Sequence, residues 1–157
     1  MLNKIEQWID QTNTDHKNKR LSCDRFLDSF DGFYPISFLK QAYFVVVKNI
    51  PMPDISVLRE IGLEDFVNMK FDGITYKDTY YILPHVEKNL ILHFHELVHV
   101  AQWGNLGAIN FIQRYIGEIQ KHGYTDAPLE KMAYELQAHF SSNGEKLDVP
   151  SYVSEKI

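Results

Sequence analysis

From Leu90 to Trp103 the chain is almost continuously apolar, and into this run are set His93, His95, Glu96, His99 and Gln102. Leu90, Phe94, Leu97, Val98 and Ala101 recur at the three- and four-residue spacing of an amphipathic helix, which should stop near Gly104. A charged or titratable group buried in such a helix is costly unless something partners it. The segment therefore demands both a buried helix and an explanation for its polar residues.

Within it, His95-Glu96-Leu97-Val98-His99 supplies that explanation. Residues four apart on a helix differ by about 40° in rotation and one turn in rise, so the imidazoles of His95 and His99 can face a single ion. Glu96 lies on a neighbouring part of that surface. Its carboxylate is badly placed to be a ligand but well placed to take a proton from a water at the ion, the general-base geometry of this motif. The competing reading is a pair of satisfied core histidines.

A catalytic zinc needs a third protein ligand, which chain reversal must bring back to the helix. Cys23 is the sole cysteine, so the ligand has to be a histidine or carboxylate. Three acids downstream qualify. Asp126 stands at the start of a helix predicted from Asp126-Ala127-Pro128 to about Ser141, where capping is its expected task. Glu130 falls in the first turn of that helix, where packing against the motif helix would present it. Glu135 lies further along, on a different face.

His95-Glu96-Leu97-Val98-His99 followed by Pro128-Leu129-Glu130-Lys131-Met132-Ala133-Tyr134 resembles the gluzincin pattern of zinc metallopeptidases. The resemblance covers roughly residues 82–140. It implies zinc held by His95, His99 and Glu130, with Glu96 as base. It departs from the pattern at Tyr134, where an Asp or Asn usually supports a zinc-bound histidine. A metzincin pattern would require a glycine and a histidine at Gln102 and Asn105, and the residues around Cys23 lack the peptide-deformylase arrangement. Tyr124 and His122 are the first candidates to stabilise an oxyanion, with Arg114 and Tyr115 behind them. Gln102, one turn after His99, can hydrogen-bond a ligand histidine.

The remaining sequence supplies the frame. Leu2, Ile5, Trp8 and Ile9 predict a short N-terminal helix, and Ser22 to Phe30 a second, weaker one. Ala42 to Val47 reads as a buried strand closed by Pro51 and Pro53. Ile55 to Phe66 suggests a short helix or turn. The turn signals Asp72-Gly73 and Lys77-Asp78 frame two short antiparallel strands ending at Pro84. After the motif helix, Leu106 to Lys121 reads as a helix with Ile109, Ile112, Ile116 and Ile119 buried, ended by Gly123. The last dozen residues read as polar and extended. The expected fold is thus α+β: a minimal zincin-like domain over residues 1–157, with a small antiparallel sheet from Ala42 to Ile82 and an HExxH active-site helix followed by two C-terminal helices.

With 45% hydrophobic residues the chain can close a core. Its net charge of -5 and the isolated Lys17-Asn18-Lys19-Arg20 run argue against a nucleic-acid partner. No stretch is long and apolar enough to span a membrane, and the N-terminus lacks an apolar signal core, so a cytoplasmic protein is expected. The expected activity is zinc-dependent hydrolysis of a peptide or protein substrate, bound as an added strand near Thr75 to Ile82. The alternative is a non-catalytic protein that binds zinc or a peptide on the same fold.

Overall fold

The computed structural model describes residues 1–157 and shows an α+β fold of eight α-helices and a four-stranded sheet. Helix α1 (Leu2–Asp15) leads to β1 (Leu21–Ser22), a 3-10 turn (Cys23–Phe26), α2 (Ile36–Leu39) and β2 (Tyr43–Val46). Short helices α3 (Ile55–Glu60) and α4 (Glu64–Asn68) precede the hairpin of β3 (Gly73–Tyr76) and β4 (Thr79–Ile82). The motif helix α5 (Leu90–Leu106) follows, then α6 (Ala108–His122), α7 (Pro128–Ser141) and α8 (Val149–Lys156). No helix is long and apolar enough to cross a membrane.

The sheet is mixed, in the order β1-β2-β4-β3, and not purely antiparallel as the hairpin signals suggested. The β3–β4 hairpin is antiparallel as expected, but β2 pairs with β4 in parallel, Phe44 opposite Tyr80. The segment between β2 and β4 carries α3, α4 and β3, long enough for the crossover that parallel pairing requires. All four residues of β4 are buried, which suits a central strand. β3 is left as an edge.

Leu83 N–H donates to the Asp72 carbonyl at the open end of the hairpin. Antiparallel pairing alternates from there, so the main-chain groups of Ile74 and Tyr76 face β4 while those of Gly73 and Thr75 face the free edge. Asn13 of α1 donates to the Tyr76 carbonyl at 3.0 Å and so ties α1 to the turn end of the hairpin.

Helix α5 begins where Asn89 Oδ1 accepts from the Ile91 and Leu92 amides, and it runs to Leu106, two residues beyond Gly104, with Gly107 as its C-terminal cap. There φ is +77°, a conformation that favours glycine, and the Gly107 amide donates to Trp103 O. Every residue from His93 to Trp103 is buried, so α5 is a central helix and not the one-faced helix its spacing suggested. It packs on β3 and β4 on one side and on α7 and α8 on another. Around Phe94 the core is aromatic: its ring stacks on Phe140 at 4.5 Å and meets Phe30, Phe33 and Tyr34 edge-on.

Other expectations need correction. The last residues form α8, so three helices, not two, follow the motif helix: Asp148 Oδ1 accepts from the Ser151 amide, and Val149 and Val153, one turn apart, are fully buried. Half-buried Leu147, Tyr152 and Ile157 pack on the same core beside that pair. The expected helix from Ser22 to Phe30 is only a 3-10 turn followed by irregular turns. In α6 the buried face holds Phe111, Ile112 and Ile119, with Ile109 and Ile116 only half-buried.

Candidate metal centre

Helices α5 and α7 lie side by side, and between them His95, His99 and Glu130 converge. All three are buried, and one ligand atom from each lies within 4.8 Å of the others. His95 Nε2 and His99 Nε2 are 3.2 Å apart, and each is 3.2 Å from Glu130 Oε1. Such a group can hold a metal ion. The far side of each ring explains why the Nε2 atoms face inward. His95 Nδ1 donates to Gln137 Oε1 at 2.8 Å, and His99 Nδ1 donates to Gln102 Oε1 at 2.8 Å. The Gln102 amide is itself oriented, because its Nε2 donates to the Leu129 carbonyl at 3.0 Å. In their neutral form both imidazoles thus carry the proton on Nδ1 and turn the Nε2 lone pair toward Glu130.

Two lone pairs 3.2 Å apart repel unless a cation lies between them. Atoms bound tetrahedrally to one zinc at about 2.0–2.1 Å would be about 3.3 Å apart, so the observed spacing fits the group. The electrostatics agree. Burial pulls the His99 pKa down, but the charge and hydrogen bond of Glu130 outweigh it and push it up to about 9. Burial alone would raise Glu130, yet the two histidines hold its carboxyl well below the usual carboxylate range. The cluster attracts a positive charge, proton or metal.

Glu130 is fixed from α6. Its Oε2 accepts from the Tyr115 hydroxyl at 2.6 Å. Glu118, paired with Arg114 at 2.9 Å, accepts from the Leu129 amide at 2.8 Å and so anchors the first turn of α7. Asp126, the expected cap, is exposed and does not cap: Ala127 occupies that position without a side-chain hydrogen bond. Glu135 is exposed and lies outside the cluster.

Glu96 is buried beside the cluster but is not part of it. Its Oε2 accepts from Thr75 Oγ1 at 3.0 Å, which ties it to the edge strand β3. Its Oε1 faces Gly73, where a Cβ would lie only 3.0 Å away. Burial raises its pKa, although the neighbouring histidines oppose this.

Tyr124 lines the cavities on either side of Glu96. His122, the other oxyanion candidate, is exposed in the last turn of α6 and lines neither cavity. Tyr115 serves Glu130. Tyr134 does not replace the missing Asp or Asn; its ring packs 4.5 Å from that of His95, while Gln137 performs the hydrogen bonding. Sequence reasoning missed Gln137, although it follows Glu130 by two helical turns and so shares its face. It also missed Thr75, which no local pattern connects to Glu96.

His93 belongs to a separate network. Its Nε2 donates to the Glu87 carbonyl at 2.7 Å, and its Nδ1 accepts from the Tyr80 hydroxyl at 2.6 Å. Cys23 Sγ donates to the same hydroxyl oxygen at 3.6 Å. This is a satisfied core histidine.

No family model, curated protein or solved structure matches the chain.

Proposed function

We propose that the chain is a small zinc-dependent peptide hydrolase of gluzincin type, on a minimal zincin-like fold. The observation that carries this reading is the set of convergent Nε2 atoms and Glu130 oxygen, each locked from behind by Gln137, Gln102 or Tyr115. His95, His99 and Glu130 would hold zinc, which supplies a Lewis acid able to bring the pKa of water toward neutrality. Glu96, oriented by Thr75, takes a proton from the attacking water at Oε1 and delivers it to the leaving amine. Tyr124 donates to the oxygen of the scissile carbonyl as charge develops there.

The peptide main chain lies along the free edge of β3, where Gly73 and Thr75 offer unpaired groups. This moves the strand expected near Thr75 to Ile82 onto β3, Gly73–Tyr76, because β4 is the central strand and already paired on both sides. Gly73 lets that edge approach Glu96 without a side chain between them.

One observation favours a non-catalytic metal site: His95, Glu96, His99 and Glu130 are each no more than 5% exposed. A closed structural site, however, takes four protein ligands, and only three converge here. A buried Glu96 beside an incomplete ligand set favours hydrolysis. The test is Glu96→Gln in zinc-loaded protein, assayed on a peptide library. Loss of cleavage with zinc retained supports the reading, whereas wild-type protein that holds zinc and cleaves no peptide overturns it.

A further inference from the structure

One turn of α5 beyond His99, Trp103 walls an open groove of about 850 Å³ that shares no residue with the metal cluster. The groove lies between α1, the turn after β3, the end of α5 and the start of α6. Its volume is that of a small-molecule site, and only 5 of its 16 lining residues are hydrophobic, so it suits a polar occupant. The unpaired groups around it decide the sign of that occupant's charge.

Three features of the wall are donors without acceptors. Lys17 and Arg20 line the groove, and neither is paired with a carboxylate of the chain. The Arg20 guanidinium lies over the Tyr43 ring, 3.7 Å from its centroid, which holds its plane and leaves its N–H edge free. Ala108, another lining residue, opens the 15-residue α6, whose cap Gly107 has no side chain to offer. The amides of Ala108, Ile109 and Asn110 meet no acceptor in the chain. Trp103, whose carbonyl accepts from the Gly107 amide, is 6% exposed. Its Nε1 is the one buried side-chain polar atom of the molecule without a hydrogen-bond partner. Of the two acids in the groove, Asp10 is taken by Lys77 at 2.6 Å, which leaves Asp78 alone against two cations and a helix N-terminus.

We propose that this groove binds a small molecule through an oxyanion, a carboxylate or phosphate group, held by Lys17, Arg20 and the N-terminus of α6, with the Trp103 Nε1–H as a further donor. An anion there meets two opposite charges and the positive end of a helix dipole together. The way in beside Trp103 is open, because Gly104 has no side chain and a Cβ placed on it would meet nothing within 4 Å. The rest of the ligand lies toward Gln41 and Asn105, whose amides suit hydroxyls and other neutral polar groups. The site stands independently of the hydrolase reading.

The test follows the indole N–H peaks of Trp8 and Trp103 in proton–nitrogen correlation spectra at low salt, assigned with Trp8→Phe, during titration with inorganic phosphate or succinate. The Trp103 peak should move downfield and saturate with at least one of the two anions, and the anion that acts identifies the head group. Trp8, which packs on the Tyr76 ring outside the groove, should stay in place. Arg20→Gln should weaken binding at least about tenfold, the loss expected for a charge-assisted hydrogen bond. Gly104→Glu sets a carboxylate in the groove without a clash and should abolish binding, whereas Gly104→Ala should retain it. Failure of both anions to move the Trp103 peak overturns the proposal, as does unchanged affinity in Arg20→Gln and Gly104→Glu. Saturable binding that shifts only peaks around His95 and His99 belongs to the metal centre and overturns it as well.

Discussion

Removing the hydrogen bond behind each imidazole should weaken the metal site unequally, in proportion to how well water can replace the lost partner. Gln102 is fully buried and holds His99, while Gln137 is half-buried and holds His95. Loss of such a partner typically costs 10–100-fold in metal affinity, or about 1.4–2.8 kcal/mol. In Gln102→Leu the His99 Nδ1–H is left without an acceptor where no solvent reaches, so the effect should approach the upper figure. In Gln137→Leu water can reach His95 Nδ1, and about tenfold is expected. A chromophoric chelator in competition with each protein gives the affinities. Melting of the chelated proteins gives the structural cost, for which an unsatisfied buried donor predicts about 1–3 kcal/mol in Gln102→Leu, each kcal/mol lowering Tm by about 2–4 °C at this chain length. Affinities equal to wild type in both variants would refute the view that the glutamines set the imidazole tautomers. A larger effect for Gln137→Leu would refute the argument from burial.

Three further perturbations address other parts of the molecule. Gly73→Ala puts a Cβ 3.0 Å from Glu96 Oε1 and 3.2 Å from Ile82 Cγ2; peptide turnover should fall by up to about 100-fold with metal content unchanged, and full turnover would show that the carboxylate needs no such clearance. Cys23 is fully buried, and burial pushes its thiol up to about 12; iodoacetamide at pH 8.5 should leave it unmodified until denaturant is added, so labelling at the rate of an exposed thiol would contradict its placement. Phe94→Ala removes the ring that stacks on Phe140 at the centre of the aromatic core, and urea unfolding should report a loss of about 3–5 kcal/mol. A loss below about 1 kcal/mol would mean that this core is not packed as described.

The candidate metal centre was legible because its parts lie in recognisable local segments. His95 and His99 share a helix face by spacing alone, and Pro128 places Glu130 in the first turn of the next helix but one. Gln102 was visible for the same reason. What escaped depends on how separate elements pack. Thr75 reaches Glu96 across a sheet edge, and Tyr115 meets Glu130 only because α6 folds back on α7. The parallel pairing of β2 with β4 is equally non-local, since the hairpin signals at Asp72-Gly73 and Lys77-Asp78 describe only the strands they join. Burial misled in a different way. The periodic residues of α5 suggested one apolar face, but His93, His95, Glu96, His99 and Gln102 find partners inside the protein, and that is how a helix with so many polar groups is buried all round.

The central claim, a single metal site built by His95, His99 and Glu130, is tested most directly by elemental analysis of protein purified without chelator. Wild type and Glu135→Ala should each carry one zinc per chain, and His95→Ala and Glu130→Ala should carry essentially none. Full zinc occupancy in Glu130→Ala together with its loss in Glu135→Ala would contradict the ligand set, and a wild type that holds no zinc even after reconstitution would contradict the site itself.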